Sequence, residues 1–281
     1  MKKWTALLLL TVAAIASVPD RGEAFFRRRC RPVYCPPAPC CPVVVCPYAP
    51  VIPAAPAAPA VTIKRRMYQL LDTLDQGEFS EPVRLAAATA PGVSANETFT
   101  GTDRLTPKTT IVDAEIEDFP TVGALVNELL TKHPDADMKS LGIKRNTDTR
   151  VDAEKRNVRV RGFIHAFKKE GDNDYHVILG DGLGAENPAY LNVEVSGIPV
   201  GGGNANRQRL IQVRDEFKAT LNLGPNGPNG YKRPHDPIPV KITGSLFWDV
   251  DHPPGAVGPS GLKPTTSWEI HPVSAIEFLD E

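Results

Sequence analysis

Residues 155–281 carry three strand-like runs, one amphipathic helix and two more strand-like runs, and this order constrains the fold more than any other feature of the chain. The first run, Asn157–Lys168, alternates Val158, Val160, Gly162 and Ile164 with Arg159, Arg161, Phe163 and His165. Asp174–Leu179 and Tyr190–Val195 follow with the same period of two, which marks half-buried strands. Asn206–Leu221 then places Leu210, Ile211, Val213, Phe217 and Leu221 on one helical stripe, with Arg207, Arg209, Arg214 and Lys218 outside it. Ile238–Val250 and Trp268–Leu279 complete the set. A β-β-β-α-β-β order without a βαβ rhythm predicts a mainly β fold, a small OB-like Greek-key barrel closed by antiparallel pairing. Gly162 lies in the inward set, where a strand bending around two sides of a barrel accommodates a residue without a side chain.

The amino terminus predicts export. Lys2 and Lys3 precede an apolar run from Trp4 to Ala16 that is too short to span a bilayer, and Gly22-Glu23-Ala24 offers a small-residue cleavage site. Residues 1–24 therefore read as a signal peptide, and no later stretch reads as a transmembrane span. Residues 25–61 read as a disordered stalk rich in Cys, Pro and Ala, because ten prolines and no glycine or acidic residue fall between Phe25 and Ala60. The stalk holds Cys30, Cys35, Cys40, Cys41 and Cys46. In an oxidising compartment this odd number leaves at least one thiol over, either free or available for an intermolecular bond that would give a disulfide-linked homo-oligomer. Residues 62–109 read as a helix over Ile63–Leu74 followed by a poorly ordered linker, and residues 110–154 as a helical extension that packs on the barrel.

Charge is segregated along the chain. Residues 25–71 carry seven basic and no acidic side chains, and residues 72–154 carry eight basic against sixteen acidic. The barrel region, 155–281, has fourteen against fifteen. The basic stalk suits an anionic envelope surface, while a near-neutral barrel argues against nucleic acid as the partner.

Residues with chemistry gather in the two loops that usually frame an OB-type ligand face. The first loop leads through Asp172 and Asp174 into His176, three residues whose alternation puts them on one face, where they suit a divalent cation or acid-base work. Ordinary hairpin-turn chemistry accounts for the Gly171–Asp174 residue types equally well. The second, Asp249–Ser267, contains Asp251, His252 and Lys263 and leads into Trp268, Glu269 and His271. Loops of that length on small domains are commonly functional. His271-Pro272 implies a bulge or an edge in the last strand, because proline removes a ladder donor. A histidine so placed is expected to be satisfied by a backbone carbonyl. Gly-x-Ser-x-Gly, His-Glu-x-x-His and P-loop signatures are all absent from the sequence.

The strand motifs Asn173-Asp174-Tyr175-His176-Val177-Ile178-Leu179 and Trp268-Glu269-Ile270-His271-Pro272-Val273, with Gly244–Asp249 leading into the long loop, resemble a group of uncharacterised exported bacterial domains. The resemblance covers Val158–Phe278, implies a shared OB-like barrel with both histidines recurring, and brings no assigned activity.

The reading is an exported periplasmic, cell-surface or secreted protein, whose barrel is a ligand-binding or interaction module without a cofactor. The first alternative is a metal-assisted, phosphodiesterase-like hydrolase using the Asp/His cluster and a divalent metal. The second is a structural envelope protein cross-linked through its cysteines.

Overall fold

The structure is a computed structural model and describes residues 70–72, 93–200 and 206–280. The signal-peptide, stalk and cysteine expectations fall on residues outside that set.

Five strands form a closed barrel: β3 (Asn157–Lys169), β4 (Tyr175–Gly180), β5 (Tyr190–Val195), β7 (Ile238–Trp248) and β8 (Trp268–Phe278). Their order around the barrel is β3-β4-β5-β8-β7, and β7 pairs back with β3. All neighbours are antiparallel except β5 and β8, which run parallel. The inward residues form one apolar core, among them Val158, Val160, Ile164, Val177, Leu179, Leu191, Val193, Val240, Ile242 and Ile270. Trp248 and Trp268 are register partners across β7 and β8, and both are buried.

Three short strands lie on the outside of this barrel. β1 (Leu70–Asp72) pairs with β6 (Lys232–Pro234), and β2 (Ile116–Phe119) runs parallel to the start of β3. Of the helix expected over Ile63–Leu74 only residues 70–72 are among those described, and they form a strand on the β6 edge, whose backbone partners local helical spacing does not register.

Helices close off the core at two levels. Among α1 (Leu105–Thr109), α2 (Val122–Lys132), α3 (Asp135–Ser140) and α4 (Arg207–Thr220), the long α2 and α4 supply most of the core contacts, and α3 adds Met138. Thr121 caps α2 by accepting from the Ala124 amide. Val122, Leu125, Val126 and Leu129 then enter the core beside Gly162, where a Cβ would stand 2.7 Å from the Val122 side chain. At the level of Phe167 and Tyr175, Phe217 of α4 packs against both rings. Arg214, expected on the solvent side of α4, is buried: its guanidinium stacks 4.5 Å above the Tyr175 ring and donates to Glu97 and to the Val195 and Ser196 carbonyls.

Two register shifts decide which side chains face out. One falls between Ile164 and Ala166 in β3, so Phe167 turns inward and Ala166 and Lys168 turn outward. The other falls around Gly244, opposite Val273, where a side chain would meet the Pro272 carbonyl oxygen at 2.5 Å. The irregularity implied by His271-Pro272 is therefore present, and Gly244 makes room for it.

Residues 93–109, expected within a poorly ordered linker, pack against the barrel. Thr98 bridges to Ile198, and the Phe99 and Thr100 amides donate to the Ile198 and Asp172 carbonyls. The reason is an ion pair that sequence spacing does not reveal, between Arg104 and Glu154.

Candidate functional site

The outward side chains of β3, β4, β5 and β8 form rows across the sheet. Lys168 is the register partner of His176, and His176 is the partner of Glu194. The parallel β5–β8 pairing, Asn192 with Glu269 and Val193 with Ile270, brings His271 beside Glu194. An ordinary barrel would leave this row in water. Here the Asp249–Ser267 loop and residues 93–112 lie over it, so that His176 is 4% exposed, Glu194 1% and His271 0%. The loop adds the buried pair Asp249 and His252. The amino-terminal segment adds Lys108, whose ammonium sits 5.8 Å over the Phe247 ring, itself 5.4 Å from the His271 ring.

Glu194 is the hub. Its Oε1 lies 2.8 Å from His176 Nε2 and accepts from Asn192 Nδ2 at 2.9 Å, while its Oε2 lies 3.0 Å from His271 Nδ1. The other ring nitrogen of His271 is 3.2 Å from Asp174 Oδ2. His176 Nδ1 is 3.1 Å from Glu170 Oε1, which also pairs with Lys168 at 2.7 Å. His252 Nδ1 is 3.0 Å from Asp249 Oδ2 and 3.6 Å from Glu269 Oε1. Asn192 Nδ2 spans two carboxylates by donating to Glu269 Oε1 as well, at 2.9 Å.

Several of these approaches lack the alignment of a hydrogen bond. Both ring nitrogens of His252 and of His271, His176 Nδ1, Asp174 Oδ2, Asp249 Oδ2 and Glu269 Oε2 are buried without a hydrogen-bond partner. They are close enough for charge attraction yet off the line a shared proton requires. Buried polar atoms are normally satisfied, so a concentration of unsatisfied ones at one place needs a physical cause.

Without a metal ion, protons are what hold the cluster together. Burial pulls the His176 pKa down, but the Glu194 and Glu170 charges outweigh it and hold the imidazolium up to about 10. Burial likewise opposes protonation of His271, and Glu194 and Asp174 raise it to about 10. His252 is raised by Asp249 and Glu269 against the same opposition. Glu269 is pushed up to about 7 by burial and by the Glu194 and Asp249 charges, and Asp172 to about 7 by burial and the Asp174 charge. In contrast, His176 and His271 overcome burial at Glu194 and depress it well below the carboxylate range, and His252 and Lys108 do the same for Asp249.

The sign of the pH dependence follows. A raised folded pKa gives stability that is full below the unfolded value and is lost as pH rises through the folded value. For His176 and His271 that loss runs from about 6.5 to about 10, with Glu269 and Asp172 losing theirs earlier, on the way to about 7. The depressed Glu194 and Asp249 act only at the acid end, where their stability is lost as pH falls. Chelator-treated protein is expected to lose at least about 2 kcal/mol between pH 6.5 and 10, at about 1.4 kcal/mol per unit of pKa shift. Urea titrations at a series of pH values measure this, and a flat profile contradicts the proton-held network.

Of the residues singled out from the sequence, Asp174, His176, His252 and His271 meet in this cluster. Asp172 borders it and also performs the turn role, its Oδ1 accepting from the Asp174 amide at 3.1 Å. Asp251 turns away to Arg145 at 2.6 Å, and exposed Lys263 donates to the Gly255 carbonyl. Trp268 faces the barrel interior, where its Nε1 donates to the His133 carbonyl, because alternation along β8 sends it opposite to Glu269 and His271. His271 meets carboxylates instead of the expected backbone carbonyl. Glu194 and Asp249 are the residues that sequence reasoning missed, and Glu269 stands out only as a neighbour of His271. Their only sequence signal is that Asn192, Glu194, Glu269 and His271 alternate with inward apolar residues, a pattern shared with any solvated strand face.

Three overlapping groups have ligand atoms within 4.8 Å of one another: His176, Glu194 and His252; Glu194, Asp249, His252 and Glu269; and Asp174, Glu194 and His271. With metal-ligand bonds near 2.1 Å, neighbouring ligands of one ion stand about 3.0–3.4 Å apart, and the His–carboxylate approaches here, at 2.8–3.6 Å, bracket that separation. No family model matches this chain, and no curated protein or solved structure matches it significantly.

Proposed function

We propose that this is an exported protein whose OB-like barrel is a binding module, and that its ligand is a divalent first-row metal ion held in a closed centre. The OB-like reading draws on the strand order, with the third and fifth barrel strands parallel and a helix between the third and fourth. Export draws on residues 1–24, and among the described residues no helix is long and apolar enough to cross a membrane. The metal reading is carried by one observation. Buried atoms of His252, Asp249 and Glu269 without hydrogen-bond partners meet Glu194 in one group whose ligand atoms all lie within 4.8 Å of one another. Imidazole with carboxylate suits zinc, manganese, iron or cobalt, and the absence of thiolate from the group disfavours copper(I). Asn192, clamping Glu194 and Glu269, is the kind of outer partner that orients ligating carboxylates.

Burial separates this reading from the metal-assisted hydrolase. A catalytic ion keeps an open position for water and substrate, whereas a binding or structural ion is enclosed. With every ligand 2% exposed or less apart from His176 at 4%, the enclosure supports a binding centre.

The test is a thermal melt of the chelator-stripped protein with added Zn²⁺ or Mn²⁺. An ion at a hundred times its dissociation constant is expected to add about 2.7 kcal/mol, or about 5–10 °C in Tm. His252→Ala, in the covering loop, should remove most of that gain. If neither ion shifts the melt and none accompanies the purified protein, the cluster is an ion-pair network and the proposal fails.

A further inference from the structure

We infer that the centre is dinuclear, with Glu194 as the carboxylate that bridges two divalent ions. The inference rests on the metal-binding reading and adds to it the number of ions and their coupling.

Glu194 divides its oxygens between two separate sets of ligands. Oε1 faces His176 and, through Asn192, the Glu269 side, where His252 and Asp249 complete the group. Oε2 faces His271, whose far nitrogen faces Asp174. Apart from Glu194 the two sets use different residues: the first draws on His176 of β4, Glu269 of β8 and the covering loop, the second on His271 of β8 and on Asp174 just ahead of β4. A carboxylate placed in this way spans two ions about 3.5–4 Å apart. Both sides also hold buried atoms without a hydrogen-bond partner, His252 and Glu269 Oε2 on one, His271 and Asp174 Oδ2 on the other. A single ion on either side leaves the opposite set unsatisfied.

Charge points the same way. Six carboxylates line the buried region: Glu170, Asp172, Asp174, Glu194, Asp249 and Glu269. Two lysines accompany them, Lys168 beside Glu170 and Lys108 within electrostatic reach of Asp172 and Asp249. With neutral imidazoles, as metal ligation requires, and all six carboxylates ionised, as they become above the raised values of Asp172 and Glu269, four negative charges remain, and buried charge must be compensated locally. Two divalent ions compensate it in full, and one leaves half of it.

The experiment counts ions and asks whether they interact. The full-length protein, stripped and reloaded with Zn²⁺, is analysed by plasma mass spectrometry; loaded with Mn²⁺, it is examined by electron paramagnetic resonance. Two zinc ions per chain and the multiline spectrum of exchange-coupled manganese are expected. His271→Ala should lower the count from two to one and leave an isolated six-line manganese signal. Asp174→Asn is the milder second variant, expected to weaken only the second ion by tenfold or more. One ion per chain with a six-line signal in the wild type overturns the dinuclear centre while leaving the metal-binding reading intact. Two ions without exchange coupling overturn the bridging role of Glu194. No bound ion at all removes the reading on which the inference stands.

Discussion

A chain that begins at Asp148 is expected to lack a cooperative unfolding transition, whereas one that begins at Val93 is expected to melt much as the full-length protein does. The sequence alone places the domain boundary near residue 155, and the structure shows what such a boundary would remove. Val122, Leu125, Val126 and Leu129 of α2 are all part of the barrel core. At about 1.5–3 kcal/mol for each fully buried aliphatic side chain, their loss amounts to about 6–12 kcal/mol, comparable with the whole stability of a typical domain. Both barrel tryptophans are also fastened to the segment that would be lost, Trp248 Nε1 donating to Asp135 Oδ1 and Trp268 Nε1 to the His133 carbonyl, each at 2.8 Å. Starting at Val93 retains all of this and gives up only the three-residue β1 among the described elements. Tryptophan fluorescence during thermal melting distinguishes the two chains. A sharp transition for the Asp148 chain within a few degrees of the full-length value would show that residues 93–147 merely decorate the barrel.

The contrast marks which parts of the fold a local reading reaches. Barrel strands are legible because alternation with a period of two records a buried inner face, and β4, β5, β7 and β8 lie where the pattern places them. The pattern fails at Ala166, since a bulge reverses the alternation without any change in composition. β2 escapes notice because Ile116–Phe119 is largely exposed and held only by its pairing to β3. Residues 93–109 are rich in Thr and have no periodicity, so nothing local reports that Arg104 is buried among them.

The candidate site divides along the same line. Histidines are uncommon and stand out, so His176, His252 and His271 are found. Glu194 is missed, and Glu269 stands out only through its neighbour His271, because a carboxylate on the outer face of a strand is ordinarily solvated. What makes them unusual is the cover laid over the sheet by residues distant in sequence, and that cover is a tertiary fact. The same reasoning places Asp251 wrongly: its neighbour His252 turns in, while Arg145 draws Asp251 the other way.

The most deeply buried ion pair that holds the cover is Arg104 with Glu154, and Arg104→Met is expected to lower stability by about 3–5 kcal/mol, the range for breaking a buried pair by removing one partner. Arg104 directs every donor of its guanidinium inward. Nη1 and Nη2 each reach a different oxygen of Glu154 at 2.8 Å, and the remaining bonds go to the Thr147, Thr149 and Trp248 carbonyls. Glu154 in turn accepts from the Val151 and Trp248 amides, both at 2.9 Å. Removing the guanidinium strands a carboxylate that is 0% exposed and leaves three carbonyls without their side-chain donors. Glu154→Gln keeps the shape and one acceptor, so it should cost less than Arg104→Met but still more than 1 kcal/mol. The double variant Arg104→Met/Glu154→Leu should recover part of the loss, because the penalty comes mainly from the unpaired charge and not from the missing attraction. Since Arg104 also lies 4.6 Å over Phe247, whose ring adjoins His271, the loosened segment should admit water to the site. Urea unfolding measures the first effect, and hydrogen exchange at residues 98–110 and 174–178 the second. A loss below about 1 kcal/mol for Arg104→Met, with unchanged exchange, would mean that the cover is held by other contacts.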